Sequence, residues 1–153
     1  VVRGVGGSPG KRLSTEAPLP VLLALELLES VLAGQQLSTF TMPDLTVALR
    51  DAVCPVIVRR LRGSPDFVEA VRLYRIVGVL IGRWSREVPD ECEVFLSILV
   101  EAFEAAGDVA SGDWRLALPI EVVQETVRHP EAVDALLDLE SRTRTVTING
   151  VLE

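Results

Sequence analysis

Apolar positions along the chain fall into six helical stretches. In the first, Pro20 fits an opening turn, Val21, Leu22, Leu25, Leu28 and Leu32 recur at helical spacing, Glu26, Glu29 and Ser30 form a narrow polar stripe, and Gly34 is the stop. So little polar surface predicts a helix covered on most sides. Pro43 and Asp44 open a second helix with Leu45, Leu49, Ala52, Val53, Val56, Ile57 and Leu61 on its core face. Arg59, Arg60 and Arg62 in its last turn complement the helix dipole, and Gly63 supplies a C-cap. Pro55 removes a backbone bond inside this pattern and crowds the preceding turn, which predicts a kink near Asp51 to Cys54.

The third stretch reads Ser64 as N-cap and Pro65 as first residue, with Phe67, Val68, Val71, Tyr74, Val77, Ile81 and Trp84 in the core and an end near Ser85. Gly78 and Gly82, one turn apart, would permit close approach of a neighbouring helix. A fourth helix starts at Pro89 and Asp90, buries Val94, Phe95, Ile98, Leu99, Ala102 and Phe103, and stops at Gly107 before a loop from Asp108 to Asp113. Trp114 to Arg128 form a fifth, with Leu116, Ile120, Val123 and Val127 periodic and Pro119 bending its first turns. Pro130 opens a short sixth with Val133, Leu136 and Leu137, and Thr143 to Val151 read as coil.

The starts carry a period. Pro20, Pro65 and Asp113 open the odd helices at steps of 45 and 48, and Pro43, Pro89 and Pro130 the even ones at steps of 46 and 41. Helix pairs recurring at about 40–47 residues are the signature of HEAT and armadillo arrays, in which each pair buries its apolar face against its neighbours. The expected fold is an all-α, HEAT/armadillo-like α-solenoid of about three antiparallel helix pairs over residues 19–139, with a flexible leader at 1–18 and a C-terminal coil or cut end at 140–153.

Composition agrees with that reading. The 153 residues are 48% hydrophobic but only 5% aromatic, so the apolar mass is aliphatic, as stacked helices require. One histidine (His129), two cysteines (Cys54, Cys92), one tyrosine (Tyr74) and one lysine (Lys11) leave most His- and Cys-centred chemistries without parts. The mean hydropathy of +0.35 would suit a membrane protein. However, the longest clean apolar run, Ile76 to Gly82, is 7 residues between Arg75 and Arg83, where a span needs about 20. The Gly-rich opening, which starts on Val, shows no signal peptide and reads as part of a longer protein. The two cysteines, 38 positions apart, read as reduced core thiols on the cytosolic side.

Candidate chemical motifs are weak. Gly10 and Lys11 imitate a phosphate loop, but Val5 stands where it needs Gly and Arg12 where it needs Ser or Thr. A Cys92–His129 nucleophile pair is disfavoured because Glu91 and Glu93 would raise the thiol pKa. No Cys-x-x-Cys or similar ligand pair points to a metal, and no cofactor is expected.

Charge is more informative. The net −7 divides into −1 over residues 1–49, +5 over 50–86 and −11 over 87–153. Arg72, Arg75, Arg83 and Arg86 share one face of the third helix, and Glu93, Ser97, Glu101 and Glu104 form an acidic stripe on the fourth. These stripes can pair with each other, stay solvated, or each face a ligand, an anionic lipid surface or acidic segment being the ligand expected for the arginines. Nucleic acid is not expected, for want of a reader motif or stacking aromatics beside the arginines.

Four strings occur in order: Leu25-Glu26-Leu27-Leu28-Glu29-Ser30-Val31-Leu32, Val53-Cys54-Pro55-Val56-Ile57, Arg75-Ile76-Val77-Gly78-Val79-Leu80-Ile81 and Glu91-Cys92-Glu93-Val94-Phe95-Leu96-Ser97-Ile98-Leu99-Val100. Together they resemble the HUS region (homology upstream of the exchange domain) of the large Arf guanine-nucleotide exchange factors, closest to the Mon-two branch. Trp114 and Ala117 to Gln124 continue the resemblance. The family's named box has an Asn-Tyr-Asp-Cys-Asp core, of which Leu136-Leu137-Asp138-Leu139-Glu140 keeps only Asp138, a departure that argues against a catalytic exchange-factor origin. The resemblance implies a non-enzymatic α-solenoid segment of a large peripheral Golgi or endosomal protein in vesicle transport. It would pack against an upstream dimerisation module and bind trafficking proteins, among them Arf-like GTPases. The alternative it leaves open is a regulatory segment of an authentic Arf exchange factor.

Overall fold

The computed structural model describes residues 20–34, 43–105, 113–134 and 137–138. The expected leader, the Gly107 stop, most of the loop after it and the residues beyond 138 lie outside these. The described elements are helices: α1 (Val21–Gly34), α2 (Pro43–Ala48), a π-helical turn (Leu49–Val53), α3 (Cys54–Arg62), α4 (Phe67–Trp84), α5 (Pro89–Ala105) and α6 (Trp114–Val127), with residues 130–134 helical again. Among the described residues there is no strand.

The array is defined by which residues meet. Arg72 reaches Glu26 and Glu29, and Trp84 reaches Leu32, so α1 and α4 run parallel. Phe67 meets Trp114, and Gly78 and Gly82 face Val122 and His129, so α4 and α6 run parallel too. Arg50 reaches Glu91 and Arg62 reaches Glu101, which sets α2–α3 parallel to α5 in a second layer. Successive helices in one layer start at residues 21, 67 and 114, and in the other at 43 and 89. This is the stacking of an α-solenoid, and the core lies between the layers.

At its centre α4 is buried on most sides through Ala70, Leu73, Ile76, Val77, Leu80, Ile81 and Trp84, and α5 adds Cys92, Phe95, Ile98 and Leu99. The interior is aliphatic, as the composition requires.

Several local expectations are corrected. The irregularity expected before Pro55 near Asp51 to Cys54 takes the form of a π-helical turn. The helix widens just before the proline, and the Cys54 N–H donates to the Leu49 carbonyl five residues back. This wider turn gives the pyrrolidine ring room and shifts the helix register by one residue. Leu49, Cys54 and Ile57 are therefore buried, whereas Ala52 and Val56, expected in the core, are exposed. Asp66, not Ser64, caps α4: its carboxylate accepts from the Glu69 N–H at 2.9 Å. Phe67 and Val68 accordingly lie in the exposed first turn and not in the core, and Val94 of α5 is also exposed. Gly63 closes α3 with its N–H on the Arg59 and Arg60 carbonyls, yet its φ is −77°, and the left-handed residue is Ser64 at φ 57°. Since that conformation is unfavourable for a residue with a Cβ, Ser64→Gly is expected to stabilise the fold by about 0.5–1 kcal/mol in urea denaturation.

On the outer helices the apolar faces differ most from expectation. Only Leu25 and Leu32 of α1 are buried, and Val21, Leu22, Leu23, Leu27 and Val31 are exposed. In α6 the core side is Pro119, Val122 and Thr126, while Ile120, Val123 and Val127 of the expected core stripe are exposed and Leu116 is half-buried. The physical reason is position: each of these helices has α4 on one side and no described helix of its own layer on the other.

Candidate functional site

Between α1 and α6, above the outward face of α4, runs an open groove of about 690 Å³. Val71, Gly78, Val79 and Gly82 of α4 make its floor, Glu29 and Ala33 of α1 one wall, and Leu118, Glu121, Val122, Gln124 and Glu125 of α6 the other. Arg128 and His129 stand at its end. Gly78 sits against α6 and Gly82 against the turn after it at van der Waals distance, 4.0 Å from Val122 Cγ1 and 3.5 Å from His129 Cδ2 for a Cβ built there.

The four arginines singled out in the sequence divide. Arg72 bridges Glu26 and Glu29, both at 3.2 Å, and Arg83 donates to the Ala33 carbonyl, so both hold α1 to α4. Arg75 lines the groove, exposed, with no hydrogen bond or ion pair to a described residue. Arg86 is exposed in the turn after α4. The acidic stripe does not face the arginine stripe: Glu101 pairs with Arg62 of α3 at 3.6 Å, and Glu93 and Glu104 are exposed on α5. Asp138 is exposed, and Leu136, Leu139 and Glu140 of the box lie outside the described residues.

At the groove end Glu125 accepts from Arg128 at 2.8 Å and lies 3.4 Å from His129 Nε2. The Arg128 hydrogen bond, with a smaller contribution from His129, holds this carboxyl below the usual carboxylate range. His129 is thereby engaged with Glu125, and the Cys92 sulfur is engaged elsewhere, donating to the Leu80 carbonyl, so the two form no nucleophile pair.

Both cysteines are buried and reduced. Burial, then the charge of Glu91, pushes Cys54 up to about 12; burial, then Cys54, Glu91 and Glu87, pushes Cys92 up to about 12. At pH 8 both are neutral, so alkylation of the folded protein by iodoacetamide is expected to be far slower than after unfolding in urea, as measured by mass spectrometry. The sign for stability is then set: thiols kept neutral in the fold contribute fully below pH 9, and stability falls as pH rises from there towards 12.

A second, smaller pocket of about 260 Å³ lies where α3, α4, α5 and α6 meet, beside Phe67, whose ring packs edge-on against Trp114 at 5.5 Å, with Arg115 stacked 4.7 Å from the Trp114 ring centre. Nothing in the linear sequence marks this cluster or the α6 wall of the groove, because both arise from packing across more than 40 residues. The Asp66 cap, by contrast, has a local signal in Glu69 three residues on.

No helix of the described residues is long and apolar enough to cross a membrane. Among them, no group of three or more His, Cys, Asp or Glu side chains is placed to hold a metal ion.

Comparison with known proteins gives this groove-bearing array its relatives. The chain is 29% identical over 119 residues to Protein MON2 of Saccharomyces cerevisiae, covering 77% of this chain and 7% of that protein. It is 29% identical over 125 residues to the Protein MON2 homolog of Homo sapiens, covering 70% of this chain and 7% of that protein. With the Schizosaccharomyces pombe homolog it shares 28% over 100 residues, 65% of this chain and 6% of that protein. The chain thus spans about 7% of the length of these curated relatives. No solved structure matches it. A family model described as Mon2/Sec7/BIG1-like, HUS domain, matches residues 7–136, nearly all of the two helix layers, and on that coverage the chain belongs to the Sec7-like HUS domain family.

Proposed function

We propose that this chain is a non-enzymatic scaffold segment of a large peripheral Golgi-endosome protein in vesicle-mediated transport, and that it works by packing against its neighbours in the full-length protein and against trafficking partners. The observation that carries this reading is the apolar surface on the outer helices: Leu23, Leu27 and Val31 on α1, and Ile120, Val123 and Val127 on α6. In a solenoid such faces are covered by the next unit of the array. Membership of the HUS family supports this reading, and the upstream dimerisation module is the neighbour that the family resemblance implies.

In this reading α1 meets the upstream module and α6 meets the next helix pair of the array. The function is one of surfaces. The test is a titration of the chain with the segment that precedes it in the full-length protein. We expect a dissociation constant of micromolar or tighter at moderate salt, weakened at least tenfold by Leu27→Glu with Val31→Glu, two exposed positions whose exchange leaves the melting temperature nearly unchanged. Absence of binding at micromolar concentration would remove the upstream module as a partner.

A further inference from the structure

Gly78 and Gly82 stand in the interior of α4, where each costs about 1 kcal/mol relative to alanine. Helix packing does not demand them. A Cβ at Gly78 would lie 4.0 Å from its nearest neighbour and one at Gly82 would lie 3.5 Å away, both ordinary contacts, so alanine fits at either position. What the two glycines do is leave bare backbone along the floor of the groove between α1 and α6.

Most of the groove's charged side chains have a partner within the fold. Glu29 is held by Arg72, Arg83 by the Ala33 carbonyl, and Arg128 and His129 by Glu125. Arg75 on α4 and Glu121 on α6 are the two charged groove residues with neither an ion pair nor a hydrogen bond to a described residue, while Arg83 keeps its charge and is held only by a backbone carbonyl. A ligand therefore meets one guanidinium without a partner, that of Arg75, beside the apolar stretch of Val71, Gly78, Val79 and Gly82, with carboxylates in both walls. That arrangement suits a single carboxylate and opposes a polyanion, which would approach Glu29, Glu121 and Glu125 together.

We propose that this groove takes a short peptide segment of a partner protein, with an Asp or Glu carboxylate on Arg75 and aliphatic side chains over Gly78 and Gly82. From Val71 to Arg83 the floor runs about 18 Å at 1.5 Å per residue. That length accommodates about five residues of extended chain. The Gln124 amide in the wall can serve the peptide backbone with both a donor and an acceptor. This inference rests on the scaffold reading in that it supplies one partner contact, but it uses a face separate from the exposed stripes of α1 and α6.

The test uses the 153-residue chain and a phage-displayed library of random nonapeptides, the enriched sequences being synthesised with fluorescein and titrated by anisotropy. We expect enrichment of an acidic residue among aliphatics. Arg75→Glu should weaken these peptides at least tenfold and, in a fresh selection, exchange the acidic preference for Lys or Arg. Gly78→Leu should abolish binding by filling the floor while leaving affinity for the upstream module unchanged, which separates failure of the groove from failure of the scaffold reading. Gly78→Ala, expected to raise the melting temperature, controls for folding. The proposal is overturned by selection of no peptide above background, by enriched peptides indifferent to both Arg75→Glu and Gly78→Leu, by Arg75-dependent binding of phosphatidylserine vesicles in place of peptide, or by Arg75-dependent self-association of the chain.

Discussion

Phe95→Ala is expected to destabilise the protein by about 3–5 kcal/mol. Phe95 is the largest of the fully buried side chains and lies on α5, within the core that joins the two layers. Truncation there removes most of an aromatic side chain's burial and leaves a cavity that helices pinned by Leu80, Ile81 and Leu99 can only partly close. Urea denaturation should show the loss as a lowered midpoint with an unchanged slope, since the surface exposed on unfolding stays nearly the same. Val100→Ala, on the same helix but 53% exposed, serves as the contrast and should change stability by less than about 0.5 kcal/mol. Similar losses for the two variants would mean that α5 is not packed through the face described.

Trp84→Ala is expected to cost a comparable amount, about 3–5 kcal/mol, with a different distribution over the molecule. Trp84 is 4% exposed at the end of α4, and its indole N–H donates to the Leu32 carbonyl at 3.4 Å in the last turn of α1. Beside it Arg83 holds the Ala33 carbonyl, and three turns earlier Arg72 bridges Glu26 and Glu29. The indole is thus the apolar part of a clamp whose other parts are the Arg83 hydrogen bond and two half-exposed ion pairs of Arg72, each ion pair worth about 1 kcal/mol or less. Losing it should loosen α1 before the rest. Amide exchange across Val21–Gly34 is expected to accelerate more than that of α5. Uniform acceleration would show that α1 does not open as a separate unit.

The sequence made the array legible because its signals are local and repeated. Proline and glycine marked the helix ends, and spacing near 46 residues marked the stacking. Faces were harder. In α6, Ile120, Val123 and Val127 form as good an apolar stripe as Pro119, Val122 and Thr126, and only the position of α4 decides which is buried. The π-turn at Leu49–Val53 shifted burial by one residue, which a fixed helical period cannot foresee. Among the four arginines, spacing placed them on one face but could not tell that α1 engages Arg72 and Arg83 and leaves Arg75 beside the groove. Glycine at 78 and 82 was visible from the start. The pair permits close approach of a neighbouring helix, and the room for a Cβ shows that the approach made is not close enough to require glycine.

On the scaffold reading, the chain's work lies in the surfaces that a slice of a solenoid leaves uncovered. Hydrogen exchange of the full-length protein against the isolated chain bears on those surfaces without an intermediary. Added protection is expected in α1 across Leu23 to Val31 and in α6 across Ile120 to Val127, with the core of α4 unchanged. Equal protection of both outer helices in the two forms would contradict it.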